Sequence, residues 1–565
     1  MAKAANLGFP RLGIGREWKK ACEKFWAGGI SEQELLQAAT QLKTRHWKMQ
    51  ADVGLDIIPC NDFAFYDQML EMMRLVGAVG PRFGDGSEGE IPLDVYFAMA
   101  RGKQGPAGDA APLEMTKWFD TNYHYLVPEF HPDMKFRLAS EHPSQAVQEA
   151  RAAGVVNPRP VLIGPATFLL LGKIVENGFH RLDRLDELTE VYADVLRRFA
   201  CMEVPWVQMD EPILATDLTA EGMEIFRRAY RRLTASPDRP RILLATYFGD
   251  LEDNTSAAWA SGVEGLHLDL VSAPSQLDSI PENCPTDFHL SLGVVDGRNV
   301  WRTDLDGALQ LLKRAAERLD PSRIEIAPSC SLLHSPMDVT LETELDPEIK
   351  EWLAFGVQKL EEVVLLTRAV NEGEAAVSEA LEISREIQRK RRTSPRVVLP
   401  EVRRAQAAVT DQMTRRKSPY PTRSRLQRDR FRLPLLPITT IGSFPQTDEI
   451  RRLRADHRKG KISADQLQQE LQAQTAKAIQ FQEAADLDVL VHGEFERTDM
   501  VEYFAEQMDG FAFTSHGWVQ SYGTRAVKPP ILYGDVRRRG PMTVACTTFA
   551  QARTSRPVKG MLTGP

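Results

Sequence analysis

Short apolar runs punctuate the first part of the chain, at Asp56–Pro59, Val161–Gly164, Trp206–Met209, Ile242–Thr246, Gly265–Leu270, Phe288–Val294 and Ile324–Pro328. Between them lie stretches in which apolar positions return every three or four residues. Arg16–Ala27 and Leu182–Phe199 are examples, and they read as amphipathic helices. The runs are apolar throughout instead of alternating. That marks strands covered on both faces, and helices between such strands make the sheet parallel. Segments around Leu7 and Phe136 bring the candidate strands to nine, one more than a (β/α)8 barrel holds. One of the nine is therefore expected to be a loop or an accessory hairpin on a closed barrel.

The pattern then starts again. Leu7-Gly-Phe-Pro10 returns as Ile441-Gly-Ser-Phe-Pro445, and Leu55-Asp-Ile-Ile-Pro-Cys-Asn-Asp62 as Leu487-Asp-Val-Leu-Val-His-Gly-Glu494. Val161-Leu-Ile-Gly-Pro165 returns as Met561-Leu-Thr-Gly-Pro565. Shared order and similar spacing point to an internal duplication. The fold expected is α/β, with two (β/α)8 TIM-type barrels of which the second is incomplete. By analogy with the first copy, roughly 150–200 further residues would complete it. Half a barrel leaves two strand edges unpaired.

Three regions follow: a first barrel over 1–380, a linker over 381–436 and the start of a second barrel over 437–565. Residues 382–437 carry sixteen Lys and Arg, many in pairs and punctuated by proline. Within this basic stretch Ser378–Arg392, with Ser378 as N-cap, and Ala405–Arg416 read as helices. Tyr420 and Phe431 are its only aromatic residues, too few to interleave the charges, so a solvated inter-domain connector is expected, not an RNA-binding arm.

Charge and cysteine usage narrow the function classes. A net charge of −8 argues against nucleic acid as a global partner, so an acidic ligand would need a local basic site. The six cysteines show no CxxC spacing or regular interval, which suits a reducing cytoplasm better than a disulfide framework. The N-terminus lacks a signal-peptide plan, and runs such as Val161–Leu171 are too short to span a bilayer. A cytoplasmic protein without membrane partners is expected.

Several residue groups bear on chemistry. Arg16 and Lys19 are three apart and share a helical face; with Lys117 they form a local basic patch. Asp210-Glu211 sits at a strand end, as catalytic acids of carbohydrate-active barrels do. Adjacent strand residues point opposite ways, so that reading needs a second acid facing Glu211. His492 and Glu494, two apart, could face the same way, but two ligands do not make a metal site. Gly442 and Ser443 offer backbone N–H groups and a hydroxyl where the chain leaves the first strand of the second copy. No His-x-Cys pair occurs, and Cys546 reads as an ordinary buried residue.

The strings LGFPRLGIGREWKKA from Leu7, EMTKWFDTNYHYLVPEF from Glu114, WVQMDEPIL from Trp206 and APSCSLLHSP from Ala327 resemble the N-terminal half of cobalamin-independent methionine synthase. TTIGSFPQTDEIR from Thr439, VLVHGEFERTDMVEYF from Val489, GWVQSYGTRAVKPPI from Gly517 and VKGMLTGP from Val558 resemble the start of its catalytic half. The motifs are long, ordered and spread from Leu7 to Pro565. The resemblance implies two face-to-face barrels that transfer a methyl group from 5-methyltetrahydropteroyltriglutamate to homocysteine, using zinc and no cobalamin. It also implies a monomer whose partners are these small molecules.

Residue by residue, the resemblance implies that Ile441, Gly442, Ser443 and Glu494 contact homocysteine, Glu494 through the ammonium. Arg16, Glu17, Trp18, Lys19, Lys117, Arg525 and Ala526 would contact the folate. Ala526 stands where many relatives carry cysteine, which removes any thiol role there. The family's zinc ligands are a His-x-Cys pair, a glutamate and a later cysteine. They and the proton donor are expected beyond Pro565, so neither a metal site nor a catalytic residue is expected in this chain, which would be inactive as it stands. The alternative is a module that binds folate polyglutamate without chemistry.

Overall fold

The computed structural model describes residues 1–84, 89–104, 109–176, 178–281 and 284–562, and it divides into two units. The first comprises Met1–Lys390 together with Thr514–Lys528; the second comprises Arg391–Phe513 and Pro529–Pro565. The sequence reading assigns 437–565 to the second copy throughout, whereas residues 514–528 fold with the first unit.

Eight parallel strands build the first unit: β1 (Lys3–Ala4), β2 (Ile58–Cys60), β3 (Pro158–Ile163), β4 (Trp206–Asp210), β5 (Arg241–Ala245), β6 (Gly265–Asp269), β7 (His289–Val295) and β8 (Ile324–Pro328). Each pairs with its neighbour in sequence, and β8 returns to β1 with Glu325 beside Lys3. A bridge between Ala5 and Ile57 closes the ring, with the Asn6 N–H donating to the Ile57 carbonyl at 3.3 Å. Every strand beyond β1 is buried almost throughout, as runs apolar on both faces require.

One of the nine candidate strands is a loop, as a closed barrel of eight requires, and another is displaced. Phe136 lies in a loop, where its ring meets Phe130 at 5.9 Å and Phe168 at 6.2 Å. It is apolar because it plugs a gap between helices and strands, not because it pairs. The first strand lies at Lys3–Ala4, and Leu7 falls beyond its end, where the Leu7 carbonyl accepts from Gln208 Nε2 at 3.0 Å.

Inside the barrel the strands carry a buried polar layer. Arg159 of β3 donates to Glu325 of β8 at 2.6 Å, and both are almost wholly buried. These strands are not neighbours, so the pair spans the interior. Outside the barrel, α1 (Glu17–Trp26) follows β1 and α2 (Glu32–Val53) starts with a capping box made by Ser31 and Glu34.

The basic region differs in detail from expectation. A helix runs over Ser378–Thr393, but it continues directly from a 3-10 turn at Glu374–Val377. Ser378 therefore has helical dihedrals and is not an N-cap. Instead of Ala405–Arg416, the next helices are Pro400–Ala407, opened by proline in its first turn, and Tyr420–Phe431. A turn in which the Met413 N–H donates to the Thr410 carbonyl stands between them.

The second unit repeats the strand–helix–strand plan. Thr439 bridges Val489, Leu490–Val491 pairs in parallel with Val558–Lys559, and helices Asp448–Arg458 and Ala464–Ala484 intervene. An antiparallel pair, Met508–Ala512 with Ile531–Arg538, lies alongside in the sequence. Leu435, Leu436, Ile438 and Ile441 are exposed. The third repeated element ends in Gly564-Pro565, which lie outside the described residues. Among the described residues, no helix is long and apolar enough to cross a membrane.

Candidate functional site

The residues singled out by sequence fall in two places, one in each unit. In the first unit, α1 is entered through Arg16, whose left-handed backbone (φ 56°) turns the chain from the β1 loop into the helix. This bend leaves the guanidinium outside the helix, stacked 3.9 Å over the ring of Trp518. Trp518 belongs to residues 514–528, which form a hairpin of Val519–Tyr522 with Arg525–Val527. Glu342 anchors its start by accepting from the backbone N–H groups of Ser515 (2.6 Å) and His516 (2.7 Å). Gly523 turns the hairpin at φ 48°, and a side chain there would collide with the ring of Tyr66.

Between α1 and this hairpin lies a cleft of about 840 Å³, lined by Arg16, Lys19, Trp26, Arg101, Trp518 and Arg525 among others. Its cations are distributed unequally. Lys19 pairs with Glu23 at 2.5 Å. Among the described residues, Arg16, Arg101 and Arg525 have no carboxylate partner; Arg525 reaches only the Tyr522 hydroxyl, at 3.4 Å. Arg101 stacks 3.9 Å over Trp26. A guanidinium lying on an indole is held flat with its donors outward, suited to carboxylates in pairs of hydrogen bonds. Ala526 lines the same cleft, opposite Gln520 in the hairpin.

The remaining expected folate contacts lie elsewhere. Glu17 is bound by Arg45 (2.8 Å) and by the Gly15 N–H. Trp18 is buried, with its indole N–H on the Phe65 carbonyl at 3.1 Å. Lys117 stands across a small hairpin from His124, whose ring meets Tyr522 edge-on at 5.9 Å. The sequence reading missed Trp518 and Arg101. An isolated tryptophan and an arginine ending a helix carry no local signal.

In the second unit, Gly442, Ser443 and Glu494 come together. Ser443 bridges Gly493, and the Phe444 N–H donates to the Gly493 carbonyl at 2.9 Å. A Cβ on Gly442 would stand 2.5 Å from Glu494 Oε1, so only glycine lets this backbone lie against the carboxylate. Ile441 points its side chain into solvent, 82% exposed.

Gly493 and Glu494 both adopt left-handed backbone (φ 91° and 57°), which breaks strand alternation there. His492 consequently turns toward Glu496, with Nε2 at 2.9 Å, while Glu494 faces Arg497 Nη1 at 3.2 Å. The two do not aim at one point. Arg497 also donates to Glu496 at 3.0 Å and to the Met561 carbonyl at 2.9 Å. Burial works to raise the Glu496 carboxyl, but His492 and Arg497 outweigh it and hold it below the usual range. Glu496 and Arg497 were missed by sequence. Arg497 follows Glu494 by three residues, a spacing that could have flagged it.

Asp210 and Glu211 are both buried. Glu211 accepts from the backbone N–H groups of Ala166 (3.0 Å) and Thr167 (2.7 Å), the Thr167 hydroxyl (2.6 Å) and the Tyr230 hydroxyl (3.1 Å). It closes the start of helix Pro165–Leu171 from the layer between sheet and helices. Asp210 accepts from Gln208 and the Tyr247 hydroxyl. Burial raises both carboxyls, each to about 7. With every Glu211 oxygen taken by the chain itself, the carbohydrate reading falls.

The fit to zinc can be tested on the same geometry. Zinc needs three or four converging Cys, His or carboxylate ligands. Among the described residues no three such side chains converge. Cys546 is half-buried, and burial with the nearby Glu496 charge pushes its thiol up to about 11. The donor set among the described residues does not fit the metal.

Comparison with known proteins bears on the whole chain. Residues 3–320 match the family described as cobalamin-independent synthase, N-terminal domain, and residues 436–565 match the catalytic domain of the same synthase. The 5-methyltetrahydropteroyltriglutamate–homocysteine methyltransferase of Acidithiobacillus ferrooxidans is 49% identical over 592 residues, covering 100% of this chain and 74% of that protein. The protein of the same name from Caulobacter vibrioides is 51% identical, covering 99% of this chain and 74% of its own length.

Proposed function

This chain belongs to the cobalamin-independent methionine synthase family, whose curated members are methyltransferases, and on that premise we propose that it binds the two substrates of methionine formation. The first unit takes the polyglutamate tail of the methyl-folate in the cleft beside α1. The second takes the amino-acid end of homocysteine at Glu494. The observation that carries this reading is the cleft itself: three guanidiniums without a carboxylate partner among the described residues, two of them flattened on indoles, gathered from distant parts of the sequence.

Each role follows from the chemistry of the side chain. Arg16 and Arg525 neutralise tail carboxylates, with Lys19 and the nearby Lys117 adding positive charge. Glu17 and Trp18 act from behind, by fixing the first turn of α1. Glu494 accepts from the homocysteine ammonium, while the Ser443 hydroxyl and the backbone N–H groups beside Gly442 hold its carboxylate. An alkyl thiol has a pKa of about 8.5, so methyl transfer needs something that makes it anionic. Zinc supplies that in the reading by resemblance. The donor set described here does not fit it, and no transfer step is assigned to this chain. It is read as binding without turnover.

Calorimetry on the purified 565-residue chain tests the reading. Heats are expected for 5-methyltetrahydropteroyltriglutamate and for homocysteine, with no methionine formed and no stoichiometric zinc. Silence toward the triglutamate at millimolar concentration sinks the binding proposal; sustained turnover with one bound zinc sinks the claim of inactivity.

A further inference from the structure

The cleft beside α1 contains one cation that the roles above leave unused. We propose, resting on the folate reading of that cleft, that Arg101 is the residue that selects ligands by the length of their γ-glutamyl tail.

Two facts of placement carry this. Arg16 marks the start of α1, and Trp26, on which Arg101 stacks, is its last residue. A helix of 10 residues is about 15 Å long, and the two stacked guanidiniums belong to its opposite ends. A γ-linked glutamyl unit carries two more backbone atoms than an ordinary residue and spans roughly 6 Å when extended. A ligand with one glutamate therefore reaches the Arg16 end alone, and a second or third unit is needed to reach Arg101.

Charge says why Arg101 matters at that end. Between the two guanidiniums stand Lys19 and Glu23, which neutralise each other. The far end also receives the C-terminus of α1 and that of helix Leu93–Arg101, whose dipoles present their negative ends and disfavour anions. Without Arg101 a distal carboxylate would meet a neutral pair and two negative helix ends. With it, the carboxylate meets a guanidinium already held flat by Trp26, which loses little freedom on binding.

The experiment titrates the full chain with the mono- and triglutamate forms of 5-methyltetrahydrofolate and with a γ-triglutamate peptide lacking the pterin. Wild type, Arg101→Ala, Arg101→Lys and Arg16→Ala are compared. Arg101→Ala is expected to weaken triglutamate binding about tenfold while leaving monoglutamate binding within about twofold. Arg101→Lys should recover part of the loss, and Arg16→Ala should weaken both ligands. Arg101 is exposed, so unfolding temperatures should not move. Equal losses on both ligands, or no loss on a triglutamate that wild type prefers, overturn the proposal. If wild type ignores both folates yet holds the peptide through Arg101, the folate reading fails and the tail site stands. If it holds none of the three, both fail.

Discussion

Asp62 and Glu494 occupy the same point of the repeat, the end of its second strand, and their surroundings differ. Asp62 is enclosed. The Phe9 N–H donates to it at 2.8 Å, and Arg11 lies across its backbone, donating to the Asp62 carbonyl at 2.7 Å and to the Tyr123 hydroxyl at 2.9 Å. The rings of Tyr123 and Phe248 pack against His334 at this end of the barrel. Glu494 has a bare glycine beside it and one arginine at 3.2 Å. The strand framework is shared, but the first copy sets its own side chains around a half-buried carboxylate, whereas the second buries its carboxylate against glycine backbone and one arginine.

The largest effect that would sharpen this contrast is expected inside the first barrel, where charges serve stability. Arg159→Met leaves Glu325 buried without its partner and should lower the unfolding free energy of the first unit by about 3–5 kcal/mol. The double variant Arg159→Met/Glu325→Leu should restore most of that loss in urea titrations followed by tryptophan fluorescence. A single variant as stable as wild type would show that the pair does not support the barrel.

The next effect lies on the binding side. Glu494→Gln should weaken homocysteine by about 10–100-fold, as the loss of a charge-assisted contact does, while Asp62→Asn leaves that affinity unchanged. Similar losses in both variants would mean that the first copy also takes substrate, and the contrast would break.

The smallest effect is a pH dependence. Burial raises the Asp62 carboxyl to about 6, from about 3.8 when unfolded. A raised acid favours the folded state while protonated, so its contribution is present below pH 4 and is lost as pH rises through 6. Asp62→Asn should match wild type near pH 4 and unfold a few degrees higher above pH 6.5, read by calorimetry. A constant difference across that range would mean that Asp62 does not titrate as its burial requires.

Much of the barrel was legible because strands buried on both faces leave continuous apolar runs, and few other elements do. The same rule misread Phe136 and Leu7, which are apolar because they fill space at strand ends and between helices. The pairing of Gly442 with Glu494 was legible through the repeat and the resemblance. The turn of His492 away from Glu494 was not, because it depends on left-handed backbone at a non-glycine residue, which composition does not announce. Least legible was the cleft beside α1. Nothing near Trp518 signals that it will lie under an arginine at position 16.

That last feature has a consequence for how the protein is made. Every strand of the first barrel has left the ribosome by Pro328, but the far wall of its cleft is not translated until Lys528. At about 5–20 residues per second, roughly 10–40 s separate the two. For that interval Trp26, Arg16 and Tyr66 face solvent with no lid, and whatever the cleft recognises must wait for a segment encoded near the other end of the message.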